Sequence, residues 1–332
     1  MERYAIETVG AVMREKLEKH GVPPDVAADC AELLLENSID GVCSHGVNRF
    51  PRLISYLDKG YIRPERKPTL AESFGAVEKW DGNLGMGCTN AKYCMDRAIG
   101  LAKQYGIGCV ALRNTNHWMR GGAYGLQAAD AGCIGICWTN TQPNMPVWGG
   151  TDRRIGNNPL ILCIPRPGGH VMMDGAMAQF SYGAIESARM SGKRLPVIGG
   201  YDAQGNMTTD PAEIEKTWRV LPIGFWKGSG ISVLLDMIAA SLSDGNAVHQ
   251  VGALGEDEYA LSQILIAIDA GRISRTLDQT VSGVIEDIKR SQRADAGVEP
   301  LYPNEHSQRL RMENLELGIP VSESVWAQIQ AL

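Results

Sequence analysis

Two short stretches concentrate the residues able to move a proton or hold an anion. The first, "SHGVNRFPR" at 44–52, sets Ser44 and His45 one helical turn ahead of Arg49. The second, "RNTNHWMRGG" at 113–122, carries Asn116, His117 and Arg120 and ends in two glycines that let backbone approach a ligand. A histidine titrates near neutral pH and suits proton transfer to an oxygen gaining charge. A guanidinium is a planar fork that grips a carboxylate and fixes its orientation. Together the clusters supply what reduction of a 2-keto acid demands. His45 is the candidate proton donor, Arg49 or Arg120 the carboxylate clamp, and His117 the group that polarises the carbonyl or a neighbouring hydroxyl. Thr139 and Asn140, at a strand end, suit a hydroxylated substrate; a structural strand cap fits them equally well.

Other motifs carry less. "GMGCTNA" at 85–91 imitates a dinucleotide fingerprint, but the strand before it holds Glu78, Lys79 and Asp81, and Arg113 stands where an acid would hold a ribose. A structural turn at a helix start is the better reading, and a Rossmann fold is not supported. "FWKGSG" at 225–230 lacks Walker spacing. Asp236 lies in an apolar helical run and needs a partner, either a catalytic histidine or a loop group. Eight cysteines with no C-x-x-C pair read as reduced thiols, and no metal site is expected.

These residues need elements to position them. Residues 1–60 read as helices. Strands and helices then alternate through "IGCVALRN", "GGAYGLQAADAG" and "IGICWTN". "NPLILCIP" and "HVMMDGA" flank the turn signal "RPGG" and form a hairpin. Residues 195–225 read as a long ordered loop, "GSGISVLLDMIAASLSDG" as a mostly apolar and therefore buried helix, and "QILIAIDA" as a strand before the closing helices. The composition, 44% hydrophobic with a net charge of -6, carries no basic strip for nucleic acid and no stretch long enough to span a membrane. With no secretory layout at the N-terminus, a cytoplasmic protein is expected.

"SHGVNRFPR", "RNTNHWMRGGAYG", "ICWTN", "WGGTDRRIGNNPL", "LPIGFWKGSG" and "DMIAASLSDG" together resemble the type 2 malate/L-lactate dehydrogenases, in particular members that reduce diketo sugar acids. The likeness runs from about residue 20 to the last residues. It implies an α/β, non-Rossmann NAD(P)-binding fold with a mainly antiparallel central sheet over 71–279. A helical domain is implied from 1–70 and 280–332, and so is a homodimer. It assigns the proton to His45, with Ser44 beside it, and substrate contacts to Asn116 and His117. It places NADH or NADPH against Val171, Met172, Met173, Asp174, Gly175, Ala176 and Met177, against Trp226 and Lys227, and against Asn304, Glu305 and His306. Gly156, Asn158 and Pro159 match a family turn. Two segments depart from the family pattern, "DGAMAQF" after Asp174 and "PNEH" at 303–306. Both lie where the cofactor is expected. They leave open a non-catalytic sugar-acid-binding protein, beside a dehydrogenase for another 2-hydroxy or cyclic imino acid.

Overall fold

The computed structural model describes residues 2–295 and 297–332. Its helical part begins with α1 (Ile6–Lys19), α2 (Pro24–Ile39) and α3 (Phe50–Asp58). Val9, Met13 and Leu17 recur at four-residue spacing and so share one face of α1, which packs with Leu34 of α2 and Phe50 and Ile54 of α3. Ile319, Trp326 and Ile329, from the other end of the chain, complete the same core. Glu2–Tyr4 pairs antiparallel with Ile319–Val321 and clasps the two ends together.

The centre is a seven-stranded sheet: β1 (Thr69–Phe74), β2 (Val77–Asp81), β3 (Ile107–Thr115), β4 (Cys133–Thr139), β5 (Leu160–Ile164), β6 (Val171–Gly175) and β7 (Leu261–Asp269). They lie in the order β1-β2-β3-β7-β4-β5-β6. Five of the six pairings are antiparallel; β2 and β3 are parallel because the long helix α4 (Gly87–Tyr105) crosses between them. Alternation along the strands feeds two cores. Val110, Leu112, Cys137 and Leu265 pack under α4 and α5 (Gly122–Asp130), while Ala111, Trp138 and Ile264 face α6 (Trp226–Ser243). The hairpin forms as β5–β6, with Leu162 opposite Met173.

Two expectations need correction. The segment 195–225 is not loop throughout: it holds a small hairpin of Gly200–Tyr201 and Met207–Thr208, and a helix, Pro211–Thr217, capped by Asp210. Nor is α6 simply buried. Its small residues, Gly228, Ser229, Ser232 and Ala239, face the protein, while Ile231, Leu234, Met237, Ile238 and Leu242 face out; Leu234 is 59% and Met237 57% exposed. An apolar sequence marks a helix that must be covered, and here the sheet covers one side of it.

Candidate active site

The last turn of α2 is the platform for His45. Ser38 Oγ accepts from the Val47 N–H (2.9 Å), and Asn37 Nδ2 donates to the His45 carbonyl (3.0 Å). Gly46 presses against this turn so closely that a Cβ would lie 2.1 Å from Ser38 Oγ. Two tight helical turns, Cys43–His45 and Val47–Arg49, then lead into α3. Ser44 is exposed, and its hydroxyl meets His45 Nδ1 at 3.1 Å.

The second cluster arrives from the end of β3. Asn116 Nδ2 donates to three carbonyls, those of Tyr61, Leu84 and Gly85 (3.2, 2.9 and 2.9 Å), and so fixes the loop rather than reaching out of it. The loop brings His117 to stack on His45, ring centroids 5.7 Å apart. His117 Nδ1 accepts from the Met119 N–H (3.0 Å), which leaves the proton of the neutral ring on Nε2. Burial, then the charges of Arg49 and Arg120, pushes His45 down to about 4. Burial, followed by Arg49, His45 and Arg52, holds His117 well below its usual range. Both rings are therefore neutral at pH 7.

His117 lines a narrow cleft with Arg49, Arg52, Tyr56 and Met119. Arg52 donates to Tyr56 Oη (2.8 Å). Arg49 has neither an ion pair nor a hydrogen bond to a side-chain or backbone acceptor among the described residues, and is the open fork of the cleft. Arg120 is not open: it is 4% exposed, ion-paired with buried Asp40, and its Nε lies 3.6 Å from Asp174 Oδ2. Asp40 in turn receives Arg311 (2.9 Å), so α2, the loop before α5, β6 and helix α7 (Glu305–Leu317) share one charge network. Of the two arginines considered for the clamp, Arg120 is committed to Asp40 and Asp174, while Arg49 has no such partner among the described residues.

Thr139 and Asn140 spend their polar groups internally. Thr139 donates to the Asn140 carbonyl (2.9 Å). Asn140 donates to Asp236 and the Asn246 carbonyl (2.9 and 2.7 Å) and accepts from the Ser262 N–H (2.9 Å). Asp236 also accepts from the Val248 N–H, so it clasps helix to loop and bonds neither His45 nor His117. The Thr139 and Asn140 side chains are thus both hydrogen-bonded within the fold.

The three segments expected at the cofactor adjoin one another. β6 is a sheet edge, where the Met172 N–H donates to the Pro303 carbonyl (3.3 Å) and Asn304 Nδ2 to the His170 carbonyl (3.4 Å). Just beyond its other end, the Met177 carbonyl accepts from the Ile223 N–H (2.9 Å), beside Trp226 and Lys227. Asp174 Oδ2 accepts from the Gly122 N–H (2.8 Å), and burial raises its pKa against the pull of Arg120. Glu305 is held by Lys289 and Arg309, and His306 is exposed. Gly156 and Asn158 pin their turn to Ser232 of α6. In "GMGCTNA", Gly87 opens α4 where a Cβ would lie 2.2 Å from the Asn116 carbonyl oxygen, so this glycine serves packing.

The profile of the malate/L-lactate dehydrogenases matches residues 4–330. The chain belongs to that family. It is 48% identical over 332 residues to the 2,3-diketo-L-gulonate reductase of Citrobacter koseri, covering 99% of this chain and 100% of the other. It is 50% identical over 318 residues to the Klebsiella pneumoniae protein of the same name, covering 95% and 96%. Among solved structures it matches sulfolactate dehydrogenase from Methanocaldococcus jannaschii (TM-score 0.91, 29% identity, 99% and 96% covered). It also matches malate dehydrogenase from Pyrococcus horikoshii OT3 (0.90, 28%, 99% and 94%). As a malate/L-lactate dehydrogenase family member it is an oxidoreductase acting on a hydroxy or keto group with a nicotinamide cofactor. Among the described residues no three His, Cys, Asp or Glu side chains gather to hold a metal, and no helix is long and apolar enough to cross a membrane.

Sequence reasoning missed Asp40 and Arg52 as parts of this dehydrogenase site. Arg52 closes the stretch already singled out, seven residues after His45, and Asp40 lies five residues before His45, just ahead of that stretch. Arg52 repeats Arg49 at three-residue spacing, a signal that was there to be used. For Asp40 the signal was its charge on an otherwise buried helix end.

Proposed function

We propose that this protein is a cytoplasmic NAD(P)H-dependent reductase of a 2-keto sugar acid. The preferred substrate is 2,3-diketo-L-gulonate, reduced to 3-keto-L-gulonate with His45 as proton donor. The observation that carries this is the unpaired Arg49 fork beside two stacked, neutral histidines; the names of the relatives at 48–50% identity direct it to a diketo sugar acid.

The residues fit a nicotinamide dinucleotide. The outer edge of β6 offers backbone groups, exposed Trp226 offers an aromatic face, and Lys227, whose ammonium lies 5.9 Å from that ring, has no carboxylate partner among the described residues. Bound there, the reduced cofactor supplies the hydride. The rest falls to this chain. Arg49 holds the substrate carboxylate in its fork, which presents the C2 carbonyl to the histidines. His117, its proton fixed on Nε2, donates a hydrogen bond to an oxygen of the substrate. Arrival of a carboxylate at Arg49 cancels one of the positive charges that depress His45, so His45 gains affinity for a proton when substrate binds. It gives that proton to the oxygen left at C2, and takes it back in the reverse direction.

The site lies where a helical unit, 1–70 with 280–332, meets a sheet unit, 71–279; this is the division we propose. The outward face of α6 is large, apolar and continuous with exposed Trp148 and Phe225, and supports a homodimer.

The test follows NADH and NADPH absorbance with a panel of 2-keto acids. Oxidation with 2,3-diketo-L-gulonate well above pyruvate or oxaloacetate is expected. His45→Asn should abolish it and keep NADH fluorescence binding. A fully active variant overturns the assignment of His45; no oxidation of any acid overturns the reductase.

A further inference from the structure

Glu258 is a buried carboxylate beside the arginine cleft that the protein leaves half used. One oxygen, Oε2, accepts from the Gln142 N–H at 3.0 Å. The other, Oε1, has no partner among the described residues and is not sealed from solvent. The Glu258 N–H donates to Tyr56 Oη (3.3 Å), the same oxygen that accepts from Arg52 Nη2 (2.8 Å). Its charge also reaches Arg49, where it favours the charged guanidinium against burial and Arg52. The residues on either side are pinned: Asp257 pairs with Lys59 at 2.7 Å, and Tyr259 stacks on Tyr61 at 4.6 Å. Glu258 is therefore fixed directly behind Tyr56 of the cleft.

The charges of the cleft then select a class of substrate. Arg49 and Arg52 are positive, His45 and His117 neutral, and Glu258 negative, while Arg120 is already offset by Asp40 and Asp174. One net positive charge remains, which matches one carboxylate. A dicarboxylic keto acid brings a second carboxylate to a cleft whose net charge one carboxylate already matches and where an acid is already in place, a repulsion that discriminates by rejecting the wrong partner. A hydroxylated tail brings O–H donors, and a carboxylate is the strongest acceptor a side chain can offer them.

Building on the sugar-acid reading above, we infer that Glu258 is the specificity-determining residue, accepting hydroxyl groups of the substrate tail and turning away dicarboxylic keto acids. The test compares wild type, Glu258→Gln and Glu258→Asp with NADH and three acids: 2,3-diketo-L-gulonate, oxaloacetate and pyruvate. Glu258→Gln should lower kcat/KM for the diketo acid and raise it for oxaloacetate, moving their ratio by about 10- to 200-fold, the range a pocket contact commands. Pyruvate, with neither tail hydroxyl nor second carboxylate, should change by less than about threefold on the same scale. Glu258→Asp keeps the charge and should keep the wild-type order. An unchanged ratio, or an equal loss on all three acids, overturns the inference. Calorimetric titration of the NADH complex with L-gulonate and with malate gives a second readout without turnover. Preference for gulonate in wild type, reversed in Glu258→Gln, upholds Glu258 even if no acid is reduced; that outcome sinks only the reductase reading. Equal shifts for both ligands overturn Glu258.

Discussion

Lowering the pH should unfold this protein partly through His45. Its ring titrates at about 4 in the folded chain, against an ordinary value near 6.5. The unfolded chain therefore takes up the proton first as pH falls. The contribution of the neutral ring is complete above about pH 6.5 and drains away toward pH 4. At 1.36 kcal/mol per pKa unit the gap amounts to about 3 kcal/mol, with the partial exposure of His45 trimming it toward 2. That is a large share of a typical folding free energy. Urea melts of wild type and His45→Gln at pH 7.5, 6.5, 5.5 and 4.5 measure it. Paired carboxylates titrate in both proteins and cancel in the difference. The stability difference, wild type minus variant, should fall by about 2–3 kcal/mol between pH 7.5 and 4.5. Parallel pH curves would refute a neutral, desolvated His45, and with it the idea that the substrate carboxylate is what restores its proton affinity.

Three other outcomes follow from the same geometry. Arg49→Lys should raise KM for the keto acid about 10- to 100-fold and lower kcat much less, because an ammonium cannot reproduce the fork; steady-state saturation curves decide, and an unchanged KM sinks Arg49 as the clamp. Gly46→Ala forces a methyl to within 2.1 Å of Ser38 Oγ and should cost about 1–3 kcal/mol while displacing His45; a variant with wild-type melting and turnover would contradict that packing. For the proposed homodimer, wild type should sediment as a dimer and Leu234→Glu as a monomer; a wild-type profile of the variant at equal concentration would move the contact off α6, and a monomeric wild type would overturn the dimer.

The sheet was legible because period-2 alternation and short apolar runs state which residues face a core, and the hairpin turn is spelled out by "RPGG". His45, Arg49 and His117 were legible because their types sit close in sequence to glycines and loops that bring function to a surface. What resisted was any fact set by a partner far along the chain. Arg120 and Arg49 look equivalent in sequence, and they separate only because Asp40 and Asp174, 80 and 54 positions from Arg120, take one of them out of service. Asn140 looks like a polar pocket residue until Asp236 and Asn246 use it up. Apolar α6 reads as core by hydropathy, because composition does not say which side of a helix the rest of the chain covers.

Asp40 has one further consequence, which concerns the order in which the chain is made. Its first cation, Arg120, lies 80 residues downstream; its second, Arg311, lies 271 residues downstream. At a synthesis rate of about 5–20 residues per second, roughly 15–55 s separate the birth of Asp40 from that of Arg311. The helix turn that carries the His45 loop thus meets its counter-charges in two instalments, while the apolar faces of α1–α3 still await Ile319, Trp326 and Ile329. The turn that carries His45 is made long before the residues that complete its charge network and its core.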